Sequence, residues 1–369
     1  MKNMSPQSST YKKFLTIFRN ALGISAEMPD EVSAGEWQEI FEFSKAQTVP
    51  GVVFEAVKGI TGTNKPPLDV LMQWTMLVER IARKNEQLNN SCAELTKIFA
   101  EHGHRSAILK GQANALLYAN PLSRQPGDID IYIDGGERKA LALLKELGKE
   151  YSLSYHHAHV KGEWCGAIVE VHFRPSSGNY NPFSNRRLQK FLNAEIQNVT
   201  KTDGGFYVPT PKFAQMMQLS HLMRHFISEG VGLRHVADYY MLLKSYGVQI
   251  TADEIEKCGL TQFAGAVMWV LKELFAVTDD LLVTSPNETD GKILLQKVLE
   301  GGNFGRNSDE YKMMQRQHII KRWYYKQLKY WKNITSWGGE MFWLDVFTWK
   351  NFVRRLPRRI RERKLHLED

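Results

Sequence analysis

The chain has 369 residues, 43% of them hydrophobic and 24% charged, the balance of an ordinary soluble protein long enough for two or three domains or one catalytic core wrapped by helices. No run approaches the roughly 18 apolar residues that cross a bilayer, and Cys92, Cys165 and Cys258 are too scattered for a disulfide framework or a zinc cluster. The net charge of +8 is local: residues 311–369 hold fifteen Lys/Arg against five Asp/Glu, a net of +10, so the rest of the chain sums to −2.

The N-terminal stretch MKNMSPQSSTYKKFLTIF has no long apolar segment and no small-residue cleavage site, so no signal peptide is expected, and a cytoplasmic location is. Helical apolar spacing covers 11–25 and 36–58, with Pro50-Gly51 as a turn or helix start. The longest helical pattern follows over 68–102, with Leu71, Trp74, Leu77, Val78, Ile81, Leu88, Leu95 and Ile98 on one broad face. These patterns predict an N-terminal helical region, 1–104.

Next comes a strand (106–110), a helix (111–119), a strand (128–133), a helix (136–149), and strands near 155–161 and 166–173. Helices between strands imply crossovers packed on one face of a sheet. Strand alternation puts Asp128 and Asp130 on one face and Ile129, Ile131 and Ile133 on the other. The isoleucines can anchor a core, whereas two carboxylates roughly 7 Å apart along a strand can converge on a hard divalent cation. A D-x-D tripeptide alone is more often a solvated strand end than a metal site. Lys110-Gly111, between a strand and a helix, offers an ammonium and backbone N–H groups to a phosphate. In AIVEVHF, alternation sets a third acid, Glu170, opposite Val169 and Val171.

These motifs, LKG (109–111), Leu117-Tyr118 with Pro121 and Arg124, GDIDI (127–131) and VEVHF (169–173), resemble the nucleotidyltransferase superfamily of the DNA polymerase β type. More narrowly, they are similar to a family known mainly as uncharacterised bacterial nucleotidyltransferases. The resemblance implies an α+β fold: a polymerase β-type core with a small mixed sheet over 105–209, flanked by helical regions. It implies transfer of an NMP group from an NTP, ATP among the donors, to a hydroxyl or phosphate. Asp128 and Asp130 would hold two Mg²⁺ ions, with Mn²⁺ as a substitute, and Glu170 would bind metal or take the acceptor's proton. Lys110, Gly111, Arg124 and Arg234 would bind the nucleotide. Where the superfamily usually has Gly-Gly or Gly-Ser, this chain has Gly111-Gln112.

His156, His157, His159 and His172 cluster in sequence, but no acid or Cys completes a zinc-ligand spacing and alternation would aim them apart, so they read as structural or substrate-lining. Residues 174–190 read as loop, and a strand at 205–208 as closing the sheet before Pro209 and Pro211. From 213 to 247 two helices are separated by Gly230 and Gly232; Met216, Met217, Met223 and Ile227 form a core stripe. His221 and His225 share a face, as do Arg234 and Asp238; the bland readings are a polar flank and an intrahelical ion pair. In the resembled family the corresponding helical domain, here 210–300, closes over the nucleotide.

After a Gly-rich loop, 301–310, the basic tail to 369 carries Trp323, Trp331, Trp337, Trp343 and Trp349. Such a tail suits helices docked on the core, peripheral contact with a membrane surface through 311–369, or nucleic acid. A fold does not fix its substrate, so small molecules, sugars, proteins and RNA all stand as acceptor classes. The alternative to an enzyme is a non-catalytic nucleotide-binding scaffold docking on membrane or a partner through this tail.

Overall fold

A computed structural model describes residues 7–302 and 337–350. Apart from 301–302 and 337–350, the tail readings, including the Gly-rich loop and the tryptophans at 323 and 331, lie outside the described residues.

The N-terminal helices are α1 (Ser9–Ala21), α2 (Ala34–Ala46), α3 (Pro50–Val57) and α4 (Leu68–Glu101). The pattern expected over 36–58 is split because Thr48 turns left-handed (φ 55°) and Pro50, unable to donate, opens α3 as its first residue. Ser33 and Glu36 cap α2 reciprocally. The 34 residues of α4 make a rod of about 51 Å at 1.5 Å per residue.

The sheet region follows as β1 (Ser106–Ile108), α5 (Gln112–Ala115), β2 (Ile129–Ile133), α6 (Gly136–Glu146), β3 (Tyr151–Leu153), β4 (His157–Val160) and β5 (Val169–His172). These five strands form one mixed sheet in the order β1-β2-β5-β4-β3. Its single parallel pair is β2 with β5; the other pairs are antiparallel. The helix expected over 111–119 shrinks to one turn, and β3 is an added edge strand. One face of the sheet, with Ile108, Ile129, Ile131, Ile133, Val169 and Val171, is sealed by Leu88, Cys92, Leu95 and Phe99 of α4 and by Leu143 and Leu144 of α6.

Two sequence expectations are corrected here. The loop expected over 174–190 contains the start of α7 (Pro182–Glu195), where the Asn181 side chain accepts from Phe183 N–H and Pro182 occupies the first turn. The strand expected at 205–208 does not close the main sheet. As β7 (Tyr207–Pro209) it pairs with β6 (Val199–Lys201) in a separate two-stranded ribbon.

The chain continues through α8 (Pro211–Ser228), α9 (Leu233–Tyr246), α10 (Ala252–Lys257), α11 (Thr261–Phe275) and α12 (Glu288–Gly301), then a helix over 337–350, α13. One apolar core joins α1–α3 to these helices: Phe18 meets Phe275 edge-on, and Phe226 meets Trp337. The two helical regions flanking the sheet are therefore packed on each other. Val70 and Trp74 of α4 belong to this core while its C-terminal half seals the sheet, so α4 spans both. Among the described residues no helix is long and apolar enough to cross a membrane.

Candidate active site

The sheet face away from α4 and α6 carries the chemistry. β2 and β5 run parallel with Asp130 directly beside Glu170, and β4 sets His159 beside Glu170 and His157 beside His172. Asp128 lies just before β2. The three acids named from the sequence are thus brought to one face, because isoleucines and valines at the alternate positions are drawn into the core on the other.

Asp130 is fully enclosed. Its Oδ2 lies 3.2 Å from Lys110 Nζ and its Oδ1 3.0 Å from His172 Nε2. Burial alone would raise its pKa, but the Lys110 charge and the His172 hydrogen bond outweigh that and hold the carboxyl far below its ordinary value. Burial opposes charge on His172 too, yet its hydrogen bonds to Asp130 and Glu170 raise it. Lys110, likewise desolvated, is raised by Asp130, Asp128 and Glu170. Glu170 would be raised by burial, but His172, 3.6 Å from Oε2, brings it below its usual value.

Asp128 goes the other way. The Asp130 charge first, and burial second, push its pKa up. Crowded like charges on oxygen donors are what a hard divalent cation relieves, so the Asp128, Asp130 and Glu170 set fits Mg²⁺ or Mn²⁺. Carboxylate oxygens of Asp130 and Glu170 and a nitrogen of His172 lie within 4.8 Å of one another.

The aspartates face a cleft of about 280 Å³ whose floor is the turn after β1 and whose roof is α8 and α9. Gly111 opens that turn at φ 64°, ψ −105°, a conformation only glycine adopts freely. Its neighbour Gln112 points elsewhere: the side chain is buried against α4, donating to Asn89 Oδ1 at 2.6 Å. The side chain at this position therefore anchors the turn to α4 and does not line the cleft.

The two arginines have different situations. Arg124 and Asp238, both buried, form a bidentate pair (Nε–Oδ1 2.8 Å, Nη2–Oδ2 2.7 Å), and Tyr118 donates to the same carboxylate at 2.9 Å. The pair expected within α9, Arg234 with Asp238, is replaced by this longer-range one. Arg234 Nη1 donates to Gln125 O at 3.2 Å, while its buried Nε has no hydrogen-bond partner. Burial, then the Arg124 guanidinium, lower the pKa of Arg234 to about 10.

Sequence reasoning missed Gln218, Asn114 and His235, which line the cleft, with Gln218 donating to Asn114 Oδ1 at 2.6 Å. Gln218 sits one turn before His221 on α8, so helical spacing was the available signal. His221 and His225 do share a face (ring centroids 4.2 Å apart), but His225 turns to Glu229 while His221 lines the cleft. Burial, reinforced by Lys110 at His221 and by Arg234 at His235, holds both imidazoles well below their ordinary pKa. The cleft wall thus sets Lys110, Arg124 and Arg234 and two neutral imidazoles against Asp128, Asp130 and Asp238, so that cationic donors for phosphate stand across from oxygen donors for a cation.

The histidine cluster also needs correcting: neighbouring strands supply the acid that local spacing lacked. His157 Nε2 and His159 Nδ1 lie 3.4 and 3.5 Å from Glu170 Oε1.

No curated protein matches the chain. Among solved structures, an antigenic nucleotidyltransferase-like protein from Paracoccidioides brasiliensis is similar at 14% identity over 55% of this chain and 96% of that one, with a TM-score of 0.35, a likeness too slight to bear on fold or function. The family described as uncharacterised nucleotidyltransferase matches residues 33–276, which take in the sheet, the cleft and both helices of its roof. The chain belongs to that nucleotidyltransferase family.

Proposed function

We propose that the protein transfers an NMP group from an NTP to an acceptor hydroxyl or phosphate with the help of Mg²⁺. The observation that carries this reading is the pairing of Asp130 with Glu170 across β2 and β5, with Asp128 beside them, at the edge of a cleft into which Lys110 and Arg234 also project. Asp128, Asp130 and Glu170 would hold the ions, which supply charge stabilisation at the transferring phosphorus when bound.

The chain's own residues do the rest. Lys110 leaves Asp130 for the triphosphate, and Arg234 turns its unpartnered Nε–H toward a phosphate oxygen, a permanently charged planar donor suited to that task. Arg124, committed to Asp238, positions the loop ahead of the aspartates. Glu170 takes the proton of an acceptor hydroxyl as the oxygen attacks the α-phosphorus and pyrophosphate leaves. Gln218 and Asn114 supply hydrogen-bonding groups to the nucleoside.

The test is a thermal melt with each of the four NTPs, with and without Mg²⁺, followed by transfer of label from an α-labelled NTP. A donor at about 100 times its Kd should add about 2.7 kcal/mol of stability. A Mg²⁺-dependent shift absent from Asp128→Asn/Asp130→Asn supports the reading. Absence of any shift overturns it in favour of a non-catalytic scaffold.

A second reading concerns location. Trp337, Met341 and Leu344 of α13 are buried in the helical core, yet Phe342, Val346 and Phe347 are 59, 40 and 47% exposed. Apolar residues on both sides of a helix, followed by RRLPRRIRERK, favour peripheral contact with an anionic membrane surface. Salt-sensitive cosedimentation with anionic but not neutral vesicles is the expected result.

A further inference from the structure

Beside the carboxylates lies a cluster of three imidazoles to which the proposed nucleotidyl transfer assigns no step. The β4–β5 register sets His157 against His172, and His156 is fixed just ahead of β4 because its carbonyl accepts from the N–H groups of Phe173 and Arg174 at 3.1 and 3.2 Å. The three rings converge. Their centroids lie 4.4 Å (156 to 157) and 5.2 Å (each to 172) apart, and one nitrogen of each lies within 4.8 Å of the others.

The surroundings constrain the tautomers of two rings, His172 and His157; His156 Nε2 is hydrogen-bonded to His157 Nδ1 in the metal-free chain and becomes a ligand when its proton moves to Nδ1. His172 Nε2 is engaged by Asp130 at 3.0 Å, which leaves Nδ1, and this atom is buried with no hydrogen-bond partner in a residue only 4% exposed. His157 repeats the arrangement: Nε2 lies 3.4 Å from Glu170 Oε1, and Nδ1 lies 3.0 Å from His156 Nε2. A ring N–H held by a carboxylate, with the other nitrogen turned inward, is how metal-ligating histidines are oriented. The N···N separation of 3.0 Å, a hydrogen bond in the metal-free chain, is a few tenths of an ångström short of the edge of a tetrahedron with bonds of about 2.0–2.1 Å to nitrogen, a gap that a small rotation of either ring closes.

We propose that His156 Nε2, His157 Nδ1 and His172 Nδ1 form a binding site for one borderline divalent transition-metal ion, Zn²⁺ foremost, separate from the carboxylate site for hard cations. Three imidazoles and no thiolate or carboxylate in the inner set select such an ion over Mg²⁺. The fourth position is left to water. Through their Nε2 atoms His157 and His172 then orient Glu170 and Asp130, so the ion braces two of the acids without touching them. The assignment is independent of the nucleotidyl-transfer reading.

The test uses the full chain, freed of metal with a chelator and titrated with Co²⁺ as a spectroscopic probe. The expected result is the intense visible absorption of a four-coordinate, nitrogen-ligated ion at one equivalent, bleached by Zn²⁺ and unaffected by excess Mg²⁺. Only the weak absorption of six-coordinate, oxygen-ligated Co²⁺ in the wild-type chain would overturn the proposal, and this arm needs no variant to fold. Among variants with wild-type circular dichroism, His156→Ala should weaken Co²⁺ binding at least tenfold while Asp128→Asn keeps it. The reverse pattern would place the probe on the carboxylates and also overturn the site.

Discussion

Arg124 and Asp238, 114 residues apart in sequence, are joined by two hydrogen bonds of 2.8 and 2.7 Å inside the protein, tying the loop ahead of the aspartates to the helix that roofs the cleft. Removing one member of a buried, hydrogen-bonded ion pair strands the other charge. Asp238→Ala is expected to cost about 3–5 kcal/mol, read as a lowered urea midpoint. An Arg124→Met/Asp238→Leu double variant should recover part of that loss, since a buried pair is itself costly to desolvate.

Arg234 should behave in the opposite way. Its guanidinium is desolvated beside Arg124 and keeps one long hydrogen bond, so little stability depends on it. Arg234→Ala is expected to leave the melting temperature unchanged or slightly raised. The apparent Kd or KM for the NTP should rise about tenfold or more, the value of a charge-assisted hydrogen bond to phosphate. Titration calorimetry and initial rates separate the two effects.

The two aspartates are distinguishable although both serve the same chemistry. Asp128→Asn and Asp130→Asn should each reduce label transfer by roughly two orders of magnitude or more, as loss of a metal ligand does. Their effects on the metal-free chain should have opposite signs. Asp130 is stabilised in its charged form by Lys110 and His172, so its amide lowers the melting temperature. Asp128 is disfavoured in its charged form by Asp130 and burial, so its amide raises it.

Acid should unfold the protein through its histidines. His156 is lowered from 6.5 to about 2 by burial and by the His172 and His157 imidazoles, and His221 and His235 are also lowered. A depressed folded pKa gives stability that is complete above the unfolded value and lost as pH falls below it. His172, raised, contributes in the reverse sense. Below the ordinary histidine pKa the unfolded chain therefore binds more protons on these residues than the folded chain does, and stability should fall as pH drops below ~6. Urea midpoints between pH 7.5 and 5 check it, and His221→Gln should flatten the slope.

The sequence made the sheet face legible because its signal is local: alternation in GDIDIYI and AIVEVHF assigns each side chain to a face. Long amphipathic periodicity likewise marked α4 and α8. What escaped depends on partners distant in sequence. Nothing near Asp238 indicates Arg124 as its partner, and nothing near Gln112 indicates Asn89 on α4. The histidines looked unmatched for the same reason, since Glu170 reaches them across a strand pairing. Helix α7 was obscured by a polar first turn whose Asn181-Pro182 start is also a turn signal.

One long rod, α4, inserts Trp74 into the helical core at one end and Leu95 and Phe99 under the sheet at the other. Its two halves share a single uninterrupted ladder of backbone hydrogen bonds, so neither core can melt without exposing the other's covering. Calorimetry should therefore record one endotherm for both, and the jaws of the cleft should admit ligand by adjusting side chains and turns rather than by swinging apart.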